Sequence, residues 1–214
     1  MAVLVRSTSN VLGTLRRAMS TAGVPITVRG EDLPLAEQPT VALLLDLLAI
    51  VLRPERLDED AAERLLQGPI GRADIVYLRR LRRALRQLFG PAAALAPAVL
   101  DVKGAAVLPE HVRGPVMRIA GALAAGRSAL ESSGSPEDVL WAIWSASVLG
   151  PRWERASRDG GEAGAAADRD LDSVVALFDS AARFTDRLPH ATAAGFAEHV
   201  QAQQVPGDGT VPHD

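Results

Sequence analysis

The chain has 214 residues, 48% of them apolar and 23% charged, which suits a folded protein with a sizeable core and excludes an intrinsically disordered one. Cysteine is absent and the formal net charge is −3, so disulfides and thiolate metal sites are excluded and any nucleic-acid contact must be a local basic patch. No apolar run reaches the roughly 18 residues a membrane span needs, and no cleavable leader pattern opens the sequence; a cytoplasmic location with no membrane partner is expected.

Taken in chain order, Ala2 to Arg6 reads as a strand: Val3, Leu4 and Val5 form an apolar run without alternation, as in a strand buried on both faces. From Asn10 to Ala22 the apolar residues Val11, Leu12, Leu15, Ala18 and Met19 follow a helical period, and Gly23 ends that helix. Ile26 to Val28 reads as a second strand. A strand–helix–strand unit of this size is a parallel crossover, which needs further strands beside it. No third convincing strand follows.

Beyond Gly30 the pattern becomes helical. Gln38 to Leu52 is apolar almost all round and should form a buried helix stopped by Pro54. Asp58 to Leu66 reads as a short amphipathic helix, followed by a tight break at Gly68-Pro69-Ile70-Gly71. Asp74 should cap a helix to Phe89. Residues 90 to 110 hold three prolines and read as loops, with at most a short helix at Ala98 to Asp101. A helix is expected from Val112 or Pro115 to Ser132. Ser135-Pro136-Glu137-Asp138 starts the next, through Trp141 and Trp144 to about Leu149. A short helix at Pro151 to Arg158 is expected, then a mobile Gly/Ala-rich stretch from Asp159 to Ala167. Long amphipathic Asp168 to Leu188, with Leu171, Val174, Val175, Phe178, Ala181, Ala182 and Phe184 inward, precedes a last helix from Thr192 to Gln203. The fold class is mainly α, and residues 205–214 form a flexible tail.

Few residues suggest chemistry. The histidines 111, 190, 199 and 213 show no metal-ligand spacing, and no metal site is expected. No Gly-x-Ser-x-Gly elbow or phosphate-binding Gly-x-x-x-x-Gly-Lys loop occurs, and Lys103 is the sole lysine. The densest charge lies in Tyr77-Leu-Arg-Arg-Leu-Arg-Arg-Ala-Leu-Arg86. At 100° per residue, Arg79, Arg82, Arg83 and Arg86 share an arc of about 100° opposite Tyr77, Leu78, Leu81, Ala84, Leu85 and Leu88. Such a stripe is either a solvated face or a phosphate-tracking, DNA-binding surface. Trp141 and Trp144 read as core residues. Trp153, between Arg152 and Arg155, reads as packed, with a partly exposed stacking platform as the alternative.

Ala2-Val-Leu-Val-Arg-Ser7, the helix after it, Gly23-Val-Pro25 and the second strand resemble the fourth motif of UvrD/Rep/PcrA-type superfamily 1 DNA helicases. Leu35 to Leu52, then Leu65-Leu-Gln-Gly-Pro-Ile-Gly71, resemble the entry to that family's helical insertion, usually called 2B. Trp141-Ala-Ile-Trp144, Trp153-Glu-Arg-Ala156 and the run from Ala167 to Phe178 with Asp186-Arg-Leu-Pro189 look closer to actinobacterial AdnA, a RecB-like helicase–nuclease. The resemblance spans about residues 2 to 204. It implies residues 1–30 as a βαβ piece of the second RecA-like α/β motor domain and residues 31–204 as the 2B-type insertion. It also implies Arg6 as the catalytic and cofactor-binding arginine on the ATP γ-phosphate. ATP and Mg²⁺ would be the cofactors of an intact parent, and DNA and a second helicase–nuclease subunit its partners. The alternative is a stand-alone helical interaction module derived from a truncated helicase. Since the family's phosphate loop and acidic Mg²⁺ motif are not in these 214 residues, the chain by itself should bind no cofactor. Purified protein mixed with forked DNA is expected to show no ATP turnover above the blank in a coupled phosphate-release assay.

Overall fold

The computed structural model describes residues 34–188 and 190–202, and among these the chain is mainly helical with no strand. The expected strands at 2–6 and 26–28, the helix between them, Arg6, and the tail from 205 lie outside the described residues.

The first long helix, α1 (Pro39–Leu52), has proline in its first turn, where the missing N–H costs nothing. Val41, Leu44, Leu47 and Leu48 are completely buried, with Ile50 and Val51 nearly so. Its sides are covered by α6 (Glu110–Glu131), α7 (Pro136–Ala146), α9 (Gly161–Arg187) and α10 (Ala193–Ala202). The helix ends where expected, because Arg53 before Pro54 is held extended at φ −141°. Then come α2 (Glu59–Gln67), capped by the Asp58 carboxylate on the Ala61 N–H at 2.7 Å, and α3 (Ile75–Phe89).

Between α2 and α3 the chain turns back on itself. Gly71 lies so close to the end of α2 that a Cβ there would sit 2.1 Å from the Leu66 carbonyl oxygen. That carbonyl accepts from the Ala73 N–H at 2.8 Å, and Arg72 adopts φ +55°.

Residues 90–110 are more ordered than their prolines suggest. They form α4 (Leu95–Leu100) and α5 (Val102–Ala106), which bury Leu95, Val99 and Ala105, and Leu108 is buried just beyond α5. Pro97 lies in the first turn of α4, where proline is tolerated, and Asp101 caps α5 through the Lys103 N–H at 3.0 Å. The Glu59 carboxylate ties α4 to α2 by accepting from the Ala96 N–H at 2.9 Å.

Helix α6 starts earlier than expected and carries Pro115 inside it. Pro115 has no N–H to offer the His111 carbonyl. The Tyr77 hydroxyl donates to the neighbouring Val112 carbonyl, fastening α3 to this weakened turn. Farther along, Gly126 lets α6 approach both α1 and α7: a Cβ there would lie 2.6 Å from Ile143 Cγ1 and 2.9 Å from Val51 Cγ2.

The start of α7 is a capping box. Ser135 Oγ accepts from the Asp138 N–H at 3.1 Å, and Asp138 accepts from the Ser135 N–H at 2.9 Å. The helix stops at Ala146, short of Leu149. Ser147 Oγ donates to the Trp144 carbonyl at 2.7 Å, Val148 turns left-handed at φ +56°, and α8 (Leu149–Asp159) begins.

The stretch 159–167 is not a mobile loop. Gly160 and Gly161, at φ +72° and +70°, reverse the chain, and α9 runs on from Gly161 for 27 residues. Gly164 sits where a Cβ would meet the Ala156 carbonyl at 2.9 Å, so the small residues permit close packing of α8 on α9. Within α9, Val174, Leu177 and Ala181 are buried, whereas Val175 is 58% exposed rather than inward. Phe196 of α10 is fully buried and meets Phe184 edge-on at 5.6 Å.

Two substitutions in α6 should therefore have opposite signs. Gly126→Ala adds a methyl where there is no room, which costs about 1–3 kcal/mol by overpacking and outweighs the roughly 1 kcal/mol gained in helix propensity. A Cβ on Gly121 meets nothing within 4 Å, so Gly121→Ala should keep that gain; urea denaturation of both variants checks the pair.

The capping box has a pH signature. The Ser135 hydroxyl, then its N–H, hold the Asp138 carboxyl below its ordinary value. A carboxyl depressed on folding contributes stability above its unfolded pKa and loses it as pH falls through the folded one. Ser135→Ala should cost about 1 kcal/mol near neutrality, and the variant's deficit should shrink in melts taken on the acid side, below the normal aspartate range.

Candidate nucleic-acid interface

Helix α3 is set by its own sequence. The Asp74 carboxylate caps it by accepting from the Tyr77 N–H at 2.6 Å, and Gly90 ends it at φ +91°. Leu78, Leu81, Ala84 and Leu85 are buried as the periodicity requires. Tyr77 is half-buried, and burial pushes its phenol up to about 12; it stays protonated and serves as the hydrogen-bond donor to Val112.

Arg79, Arg83 and Arg86 stand exposed on the outer face, with Arg80 beside them. No hydrogen bond or ion pair engages these three among the described residues. Arg82, the fourth member of the expected stripe, differs: its guanidinium reaches Glu63 of α2 at 2.5 Å. At about a third exposed on each side, that pair is worth at most about 1 kcal/mol, and it withdraws Arg82 from the free stripe. Helix α3 contains no acidic residue, so nothing on the same helix neutralises the other arginines. Arg79 and Arg86 are seven residues apart, roughly 10 Å along the axis.

Apolar side chains flank the stripe. Ile75 and Val76 are 61% and 50% exposed in the first turn, and Leu88 and Phe89 are 49% and 53% exposed in the last. Leu88 was expected on the buried face. It is instead half exposed in the last turn, beside Phe89. Phe89 borders a cleft of about 260 Å³ lined also by Leu85, Pro97, Ala98 and Leu108.

Other arginines face inward. Arg118 of α6 donates from Nε to the Ile70 carbonyl (2.8 Å) and from Nη2 to the Gly71 carbonyl (2.6 Å). Arg152 of α8 donates to the Pro69 carbonyl at 2.7 Å. Three successive carbonyls of the α2–α3 turn are thus held by guanidiniums from two distant helices. Partial burial, then the charges of Arg72 and Arg118, lower the pKa of Arg152, with Asp170 opposing them. Sequence reading missed this group, because its members lie 46 and 34 residues apart in a chain full of arginine.

The indoles are sorted by the fold. Trp153 is buried against Trp144 with ring centres 5.6 Å apart, so it offers no stacking platform. Trp141, expected in the core, is 59% exposed and touches Phe178 edge-on at 5.8 Å. Its position falls about 100–160° from the buried line of Leu140, Ile143 and Ser147. His111, His190 and His199 are exposed, and among the described residues no group of His, Cys, Asp and Glu is arranged to hold a metal ion. Among these residues no helix is long and apolar enough to cross a membrane. Neither comparison with protein-family models nor comparison with curated proteins finds a match to this chain.

Proposed function

We propose that this helical body is the accessory domain of a UvrD/RecB-like DNA helicase and that α3 grips the DNA backbone. The observation that carries the reading is the free guanidinium stripe of Arg79, Arg83 and Arg86 on an acid-free helix, in a chain whose overall charge is negative. Segregating cations on one face against the net charge creates a local field that attracts phosphates. The exposed apolar residues at the helix ends would rest against sugar edges. In this reading the domain positions duplex DNA for a motor in which Arg6 senses the γ-phosphate of Mg²⁺-bound ATP, alongside a second helicase–nuclease subunit.

A second reading is a helical protein-interaction module, and a specific observation favours it. Ile75, Val76, Leu88 and Phe89 together expose more apolar surface than phosphate contact requires, and apolar anchors ringed by arginine are typical of protein interfaces.

Salt dependence separates the two. Each phosphate contact contributes about 0.9 to the slope of log affinity against log salt, so three contacts should give a slope near −2.7 for forked DNA. Arg79→Ala, Arg83→Ala and Arg86→Ala together should take about 2.7 off that slope, whereas Arg82→Ala should leave it almost intact. Fluorescence anisotropy over a salt series is the measurement, and unchanged binding by the triple variant would refute the DNA reading.

A further inference from the structure

We infer that Arg72, Arg118 and Arg152 form a binding site for a phosphate group at the α2–α3 turn, separate from the α3 stripe. The geometry brings the three together. Arg118 and Arg152 are anchored on the carbonyls of residues 69, 70 and 71, and Arg72 is the next residue in the chain. Each guanidinium has five N–H donors, of which Arg118 commits two groups to the turn and Arg152 one. The remaining donors have no carboxylate within ion-pair distance among the described residues. Two acids are near. Asp74 is engaged as the α3 cap, and Asp170 accepts from the Thr40 hydroxyl at 2.7 Å. Both carboxylates keep their charge, so three positive charges face two negative ones, and a phosphate would meet a net positive site with bidentate contacts that suit guanidinium.

The turn leaves the Arg72 side chain uncommitted. Its backbone, at φ +55°, closes the turn: the Arg72 N–H donates to the Gly68 carbonyl and the Ala73 N–H to the Leu66 carbonyl, both at 2.8 Å. Glycine or asparagine adopts that conformation at less cost than arginine. The Arg72 side chain is exposed and makes no hydrogen bond or ion pair among the described residues. The anchored pair is preorganised by the turn, so ligand binding has only the Arg72 side chain to order.

The phosphate can belong to a nucleic-acid backbone or be free in solution. Phosphate binding itself does not depend on the helicase reading, whereas the nucleic-acid source does. The test uses the full chain and two variants. Arg72→Asn removes the guanidinium and suits the left-handed backbone, so its urea midpoint should equal or exceed that of the unaltered protein. Isothermal titration with inorganic phosphate, at ionic strength balanced with chloride, should show saturable binding that Arg72→Asn weakens at least tenfold. The triple alanine variant at positions 79, 83 and 86 should retain it. If the ligand is a DNA phosphate, Arg72→Asn should also reduce the forked-DNA salt slope by about 0.9; if it is free phosphate, that slope should not move while the titration still does. No saturable phosphate binding, equal affinity in Arg72→Asn, or a lowered urea midpoint showing that the guanidinium holds the turn would each overturn the proposal. Loss of DNA binding by the triple variant, or its absence, bears on the α3 reading alone.

Discussion

Helix α1 is the constraint on which the rest of the described structure depends. Its leucines and valines cover most of its circumference, with Asp46 exposed between them, and an element so largely apolar must be enclosed. Fully burying one such side chain contributes about 1.5–3 kcal/mol, and α1 holds six that are nearly or fully buried. Four later helices supply the cover, and Gly126 lets α6 come close enough to close the packing without a void. The surrounding helices are held in place by having to shield α1, and their amphipathic stripes follow from that.

Arginine has two roles in this protein, and they differ by what lies opposite. Arg118, Arg152, Arg113 and Arg127 donate to backbone carbonyls at helix ends and turns. A carbonyl left over at a helix terminus needs a donor, and a long side chain with a fork of N–H groups can cross from another helix to provide it. Arg79, Arg83 and Arg86 meet only solvent. With lysine almost absent, the same residue type both fastens loops and charges the surface, so composition alone cannot distinguish the two uses.

The places where elements meet show how small differences in local chemistry set the boundaries. Pro54, the Ser135–Asp138 box and the Gly160–Gly161 reversal each stop or start a helix by removing a donor, supplying an acceptor, or permitting positive φ. The Gly/Ala run after Asp159 resembles a linker in composition, yet its small side chains let two helices lie against one another. Likewise Pro97 falls in a first turn and Pro109 at an N-cap, where they fit helices as well as loops.

From residues alone one can read the largely apolar α1, the caps at Asp58, Asp74 and Ser135, the inward face of α3 and its arginine stripe. Each of these depends on neighbours within one or two turns, and helical period and capping are local physics. Tertiary structure decided which arginines stay free, since Glu63 reaches Arg82 from another helix, and which indole is buried, since Trp153 meets Trp144 across a turn. It alone brought Arg118 and Arg152 to the turn that holds Arg72, because the carbonyls that anchor the two belong to a turn placed by packing rather than by any period in the chain.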